Sequence, residues 1–136
     1  KVTLGPRTVQ ATFTYWYLIE SQNVSQPAAQ LLVTLRDAQG RVLQTLDSRS
    51  NIGADRAWHQ SPPVSIAAHA GQEVWLHFQA SGDSGVLTSF FVDDVVIDLC
   101  ELPVVLPYTA TRISLPMVQS RPMACPSAAI SRKEKP

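Results

Sequence analysis

Hydrophobic positions along the chain recur with a period of two far more than with the helical period. In ATFTYWYLIE (11–20), Phe13, Tyr15, Tyr17 and Ile19 fall on one side, and Thr12, Thr14, Trp16, Leu18 and Glu20 on the other. Successive side chains of a strand point to opposite faces, so this stretch predicts a strand with at least one buried face. AQLLVTLRDAQGRVLQTLD (29–47) predicts two strands joined by a turn over Asp37 to Gly40, a hairpin. The alternation breaks in SNIGADRAWHQSPP (50–63), where Trp58 opens a short strand. Pro62 and Pro63 keep that strand out of a sheet centre, because proline has no N–H to donate. SIAAHAGQ (65–72) predicts one helical turn closed by Gly71. In EVWLHFQA (73–80), Val74, Leu76, Phe78 and Ala80 face one way and Trp75, His77 and Gln79 the other. SGDSGVL (81–87) reads as a loop. No window keeps a helical period, so the pattern predicts an all-β, antiparallel sandwich of short strands.

The last apolar run, TSFFVDDVVIDLC (88–100), sets two carboxylates side by side inside a strand. With strict alternation Ser89, Phe91, Asp93, Val95, Ile97 and Leu99 share the apolar face, and Asp93 points into the core. A bare buried carboxylate costs several kcal/mol, so it demands a partner. Three partners fit the residues: backbone N–H groups with hydroxyls such as Thr88 or Ser89, an arginine, or a metal ion. Each makes the Asp-Asp pair architectural.

Composition adds bounds. The 136 residues, 45% apolar and 16% charged, suffice for one domain with a core. Eleven basic and eleven acidic residues cancel, which points away from nucleic acid. No stretch is long and apolar enough to predict a membrane span. The charge is unevenly placed, however. Residues 1–100 hold six basic and nine acidic residues, while residues 101–136 hold five basic and two acidic ones, with six of the ten prolines. The chain therefore divides into a sandwich domain (1–100) and an extended, basic, Pro-rich C-terminal arm (101–136). Lys1, in place of a methionine, reads as the start of a processed chain or an excised piece. Cys100 and Cys125 belong to no Cys-x-x-Cys or Cys/His cluster, which disfavours zinc. In a β-rich chain, two lone cysteines predict either one disulfide and an oxidising compartment or two thiols.

The segments TFTYWYLIES, LRDAQGRVLQTL, AHAGQEVWLHFQA and TSFFVDDVVIDLC come in an order that resembles a group of jelly-roll modules. These are appended to secreted bacterial proteases of the immune-inhibitor-A type, and are related in pattern to MAM and galactose-binding-like domains. The resemblance covers about residues 1–100. It implies an antiparallel jelly-roll, an extracellular non-catalytic module, and core positions for Trp16 and Trp58. It places the family's first strand upstream of residue 1, which would leave a sheet edge open. It also raises the metal reading of the Asp-Asp pair, since related jelly rolls hold Ca²⁺ near the end of the last strand. Calcium takes about 6–8 oxygens. The candidate ligands are Asp93 and Asp94, helped by backbone carbonyls and by Glu20 or Asp83.

Two further surfaces are candidates for binding. Trp75 and His77, on the outward face of their strand, form a possible stacking platform for a polysaccharide, an indole being well matched to apolar sugar faces; burial of Trp75 under the arm or another strand is the competing expectation. The arm contains RISLPMV (112–118), in which Arg112, Ile113, Leu115 and Val118 would add a strand to a sheet edge, in the same chain or in a neighbouring subunit. A Cys100–Cys125 bond would staple it. The expected partners are thus a polysaccharide, a cell-surface protein or another copy of the chain. Gly-Asp-Ser-Gly at 82–85 and His69 mimic serine-protease motifs, but the two sit too close in sequence for that fold, and the tetrapeptide is ordinary turn chemistry. No catalytic residue is expected.

Overall fold

The computed structural model describes residues 1–83 and 85–104. The described residues contain eight strands: β1 (Val2–Thr3), β2 (Thr8–Ser21), β3 (Ala29–Arg36), β4 (Val42–Ser50), β5 (His59–Gln60), β6 (Val64–Ser65), β7 (Glu73–Gly82) and β8 (Thr88–Glu101). Among the described residues one 3-10 turn, Ala67–His69, precedes β7; its C-cap is Ala70, and Gly71 follows with a φ of +81° that suits a residue without Cβ. Among the described residues, no helix is long and apolar enough to cross a membrane.

The strands form two antiparallel sheets. One runs β1–β7–β3–β4; in the other, β2 lies between β8 on one side and β5 and β6 on the other. The predicted hairpin is β3–β4. Asp37 shapes its turn, accepting the N–H groups of Gln39 and Arg41 on Oδ1, while Gly40 takes a φ of +80°. Pro62 and Pro63 split the strand beyond Trp58 into β5 and β6. Ser61, between them, still holds β2, since its N–H donates to the Tyr15 carbonyl at 2.8 Å and its Oγ accepts the Tyr15 N–H at 3.0 Å.

The inner faces meet in one core. Ala11, Phe13 and Tyr15 of β2 pack with Leu31, Val33 and Leu35 of β3, Leu46 of β4 and Val74 of β7, together with Leu4 and Ile66. Phe78 bridges the sheets, with ring centroids 6.4 Å from Phe13 and 5.6 Å from Tyr15. Burying a side chain such as Phe13 contributes about 2–3 kcal/mol. Trp16 and Trp58, expected in the core, are half-buried and lie outside it.

The register of β8 corrects the expectation for Asp93. Trp16 pairs with Asp93 and Thr14 with Val96, so Asp94 and Val95 together oppose Tyr15. This is a β-bulge, and Asp94 adopts the φ of +44° that the bulge needs. Aspartate enters the left-handed region more readily than most residues, because its short polar side chain bonds locally. Here the Asp94 N–H donates to Asp93 Oδ1 at 2.8 Å. One inserted residue reverses the phase of the strand. Phe90, opposite Ile19, and Ile97, opposite Phe13, both pack on the core, although one is even-numbered and the other odd. Asp93 lies across from Trp16 on the outer face and is exposed. It carries no burial cost that would demand a metal or an arginine.

Candidate functional site

The inner faces do not close as a purely apolar core on the β4 side. Asp47 and Arg49 pair with Val33 and Leu31, both buried, so they point between the sheets. The extra residue Leu46 sets this phase, since Val33 pairs with Asp47 and Thr34 with Thr45. The buried Tyr15 hydroxyl donates to Asp47 Oδ2 at 2.8 Å, and Arg49 Nε donates to the same oxygen at 2.8 Å. Burial, then the Asp47 carboxylate, push the Tyr15 phenol far above its ordinary range. The guanidinium carbon of Arg49 lies 4.8 Å from the Tyr17 ring centre. That ring also meets His59, with centroids 5.6 Å apart, and His59 Nε2 sits 2.9 Å from both Asp55 oxygens. The hydrogen bond from His59, joined by the Ala57 N–H, holds the Asp55 carboxyl below its ordinary range.

Tyr17, Arg49, Asp55 and His59 line a cleft of ≈ 370 Å³ between β4, the end of β2 and the loop from Asn51 to Trp58, with Tyr15 and Asp47 behind Arg49. Asn51 anchors that loop. It is fully buried, and its side chain makes four hydrogen bonds. Its Oδ1 accepts from the N–H groups of Ala28 and Ala29 at 2.8 and 2.9 Å, and its Nδ2 donates to the carbonyls of Asn23 and Gln26 at 2.6 and 2.8 Å. The Gly53 N–H then ties the loop to the Val24 carbonyl at 3.0 Å.

The expected calcium ligands do not converge. Glu20 pairs with Ser89 and Trp16 with Asp93, so the two acids are separated by four residues of β2, about 13 Å at roughly 3.3 Å per residue. Asp83 lies at the other end of the β7–β8 connection, with its N–H on the Ala28 carbonyl at 2.8 Å. Among the described residues, no three His, Cys, Asp or Glu side chains form a group able to hold a metal. Asp93 and Glu20 thus stand too far apart to share one ion.

Trp75 and His77 do share the outer face of β7, opposite Arg36 and Thr34 of β3. Trp75 is half-buried, with the Lys1 ammonium 5.8 Å from its ring centre and Lys1 paired to Glu73 at 2.8 Å. His77 Nδ1 is buried and meets no partner among the described residues. His69 Nε2 is 3.1 Å from Gln44 Oε1. Ser84 of the protease-like motif, Cys125, and the arm residues Arg112, Ile113, Leu115 and Val118 lie outside the described residues. Cys100 is half-buried on β8, opposite Gln10.

The second notable surface is β8 itself. It pairs with β2 along one edge, and among the described residues no strand pairs with its other edge. Phe91, Val95, Val96 and Leu99 are 41–45% exposed along it. Asp93, Asp94, Asp98 and Glu101 follow the same strand, and residues 88–104 contain no Lys or Arg.

Sequence reasoning missed Asp47, Arg49, Asn51, Asp55 and His59. Alternation alone sets Asp47 and Arg49 on a face but cannot choose it across the Leu46 bulge. The Asp55–His59 spacing was visible, although nothing marked it as one wall of a cleft. Comparison with family models, with curated proteins and with solved structures gives no match.

Proposed function

We propose that the chain is a non-catalytic β-sandwich module of jelly-roll type, belonging to a secreted or cell-surface protein and serving attachment or assembly. The observation that carries this reading is the outer edge of β8. A 14-residue strand with one edge unpaired among the described residues is a template for a further strand. Natural edge strands are commonly short or carry lysines that oppose pairing. This one is long, half-apolar and acidic.

The occupant that fits such an edge is an extended segment with basic and apolar residues. Residues 105–136 hold five basic residues and one acidic residue around RISLPMV. In this proposal Ile113, Leu115 and Val118 supply apolar contacts, Arg112 supplies charge, and a Cys100–Cys125 bond fixes the arm to the domain. Pro116 limits the pairing, since it has no N–H to donate. Within one chain the arm completes the sheet. Between copies, the same contact repeated head to tail builds an open filament.

Light scattering and thermal melting of the full chain, compared with a chain ending at Val104, test the proposal. Assembly between copies predicts that truncation turns an oligomer into a monomer. Completion within one chain predicts an unchanged mass and a lower Tm. A truncated protein with unaltered mass and Tm would refute both.

A further inference from the structure

We infer that the cleft between β4 and the Asn51–Trp58 loop is a binding site for a neutral saccharide unit, separate from the β8 edge and from Trp75. The argument begins with its charge. Arg49 faces Asp47, and His59 faces Asp55, so each cationic or titratable base is set against a carboxylate. An anionic ligand approaching Arg49 would meet the fields of two aspartates, and a cation approaching Asp55 would meet Arg49 and His59. A neutral group that both donates and accepts hydrogen bonds uses both signs at once. Hydroxyls on adjacent carbons do so.

The donors are fixed in place. The hydrogen bond that Arg49 makes among the described residues runs from Nε to Asp47 Oδ2, at 2.8 Å. Asp47 is in turn held by the Tyr15 hydroxyl, and the guanidinium carbon lies over the Tyr17 ring, 4.8 Å from its centre. The two Nη groups of this fork carry four further N–H donors, and a planar fork is suited to paired acceptors. Across the cleft Asp55 supplies acceptor lone pairs, and Ser50, next to Arg49 on β4, supplies a hydroxyl. Ile52, 52% exposed, and the edge of Tyr17 supply apolar surface for the C–H face of a sugar ring. A volume of ≈ 370 Å³ lies in the range of small-ligand pockets. The walls are also preorganised: Asn51 pins the loop through four hydrogen bonds, so little ordering cost falls on binding.

Nitrogen-15 correlation NMR of the full chain tests this, with glucose, galactose, mannose and N-acetylglucosamine as neutral probes and glucuronate and sulfate as anionic ones, each at roughly 20 mM to detect a Kd on the order of 1 mM. The expected result is saturable shifts with at least one neutral sugar, centred on residues 17–19, 48–55 and 59. Arg49→Lys keeps the charge and loses the fork, and should weaken that binding about tenfold, equivalent to about 1.4 kcal/mol. Ile52→Glu, at an exposed position that the core does not use, should do the same without disturbing resonances elsewhere, so the test survives if Arg49→Lys fails to fold. No saturable shift with any neutral sugar overturns the inference. So do shifts with the anions alone, or neutral-sugar shifts centred on Trp75. None of these outcomes depends on whether β8 recruits a further strand.

Discussion

Replacing Asn51 by aspartate changes one atom group and reverses its hydrogen-bonding sense. The Asn51 amide is fully buried and uses its whole capacity, two accepted and two donated bonds. In Asn51→Asp, Oδ1 still accepts from Ala28 and Ala29. The second oxygen, however, faces the carbonyls of Asn23 and Gln26 at distances set by donors, 2.6 and 2.8 Å. The Gln26 carbonyl loses its donor and the Asn23 carbonyl keeps only the Ser21 hydroxyl, at about 1–3 kcal/mol for a group left unsatisfied, and the cost of a buried carboxylate adds to this. A loss of roughly 3–5 kcal/mol at neutral pH follows, a large part of the stability of a domain this size.

The carboxyl can recover one bond by keeping its proton and donating to one carbonyl, so its folded pKa should lie above its unfolded value near 3.9. A raised folded pKa contributes stability that is fully present below the unfolded pKa and lost as pH rises through the folded one. Asn51→Asp should therefore be least damaging near pH 4 and most damaging at pH 7. Asn51→Ala, which loses all four bonds but gains no charge, should cost about 2–4 kcal/mol with no such pH dependence. Urea unfolding of the three proteins at both pH values measures this, with an unchanged m-value confirming that the native state is the one perturbed. Hydrogen exchange should locate the damage at the Gly53, Ala28 and Ala29 amides. An Asn51→Asp protein within about 0.5 kcal/mol of wild type at pH 7 would show that Asn51 is not bonded as described.

Tyr15→Phe keeps the ring and removes the bond to Asp47, and should cost about 1.5–3 kcal/mol, the usual worth of a hydrogen bond to a charged group. The Tyr15 pKa is raised by folding, so this stabilisation is complete below the ordinary tyrosine value near 10 and lost as pH rises above it. The gap between wild type and Tyr15→Phe in urea unfolding should accordingly narrow by up to about 1.4 kcal/mol per pH unit above pH 10, and a constant gap refutes the assignment. Val96→Lys places a cation on the outer edge region of β8 without touching the core, and should weaken recruitment of a basic segment at least tenfold, or about 1.4 kcal/mol, as read by light scattering or Tm. Thiol titration of the denatured, unreduced chain should find no free thiol; a Cys100–Cys125 bond closes a loop of about 25 residues, for roughly 3 kcal/mol in the chain-entropy account.

Period-two alternation located β2, the hairpin strands and β7 because those strands bury one face and expose the other. The core face of β2 was legible for the same reason, and so were the Gly71 turn and the Pro62–Pro63 interruption. What failed was the assumption of constant phase. β8 holds apolar residues at 90 and 92, then at 95, 97 and 99, and the change from even to odd falls on Asp93 and Asp94. The bulge was written there, as two poor strand formers at the point of phase change. Because Phe91 is apolar as well, the odd-numbered face still looked continuous. The cleft was less legible, since its walls come from β2, β4, β5 and a loop, and sequence spacing carries no information on how these meet.

Two of the four register shifts explain why chemistry and edge fall where they do. An extra residue at Leu46 turns Asp47 and Arg49 inward, where Asp47 accepts the Tyr15 hydroxyl. An extra residue at Asp94–Val95 turns Asp93 outward, away from that core, and leaves Val95 and Val96 exposed beside it. Both bulges flank Tyr15, one through its hydroxyl and one through its backbone position opposite Asp94 and Val95. Bulges re-aim side chains at the cost of regular pairing, and that cost is retained where the new direction serves a purpose. Deleting Val95 would restore the regular phase. In the deletion protein Asp94 should pair opposite Tyr15 on the core side, and Asp93 should remain outward. The price in stability should then appear as an unpaired inward carboxylate, several kcal/mol at neutral pH and less in acid. A deletion protein as stable as wild type at pH 7 would mean that the bulge does not set the direction of the Asp-Asp pair.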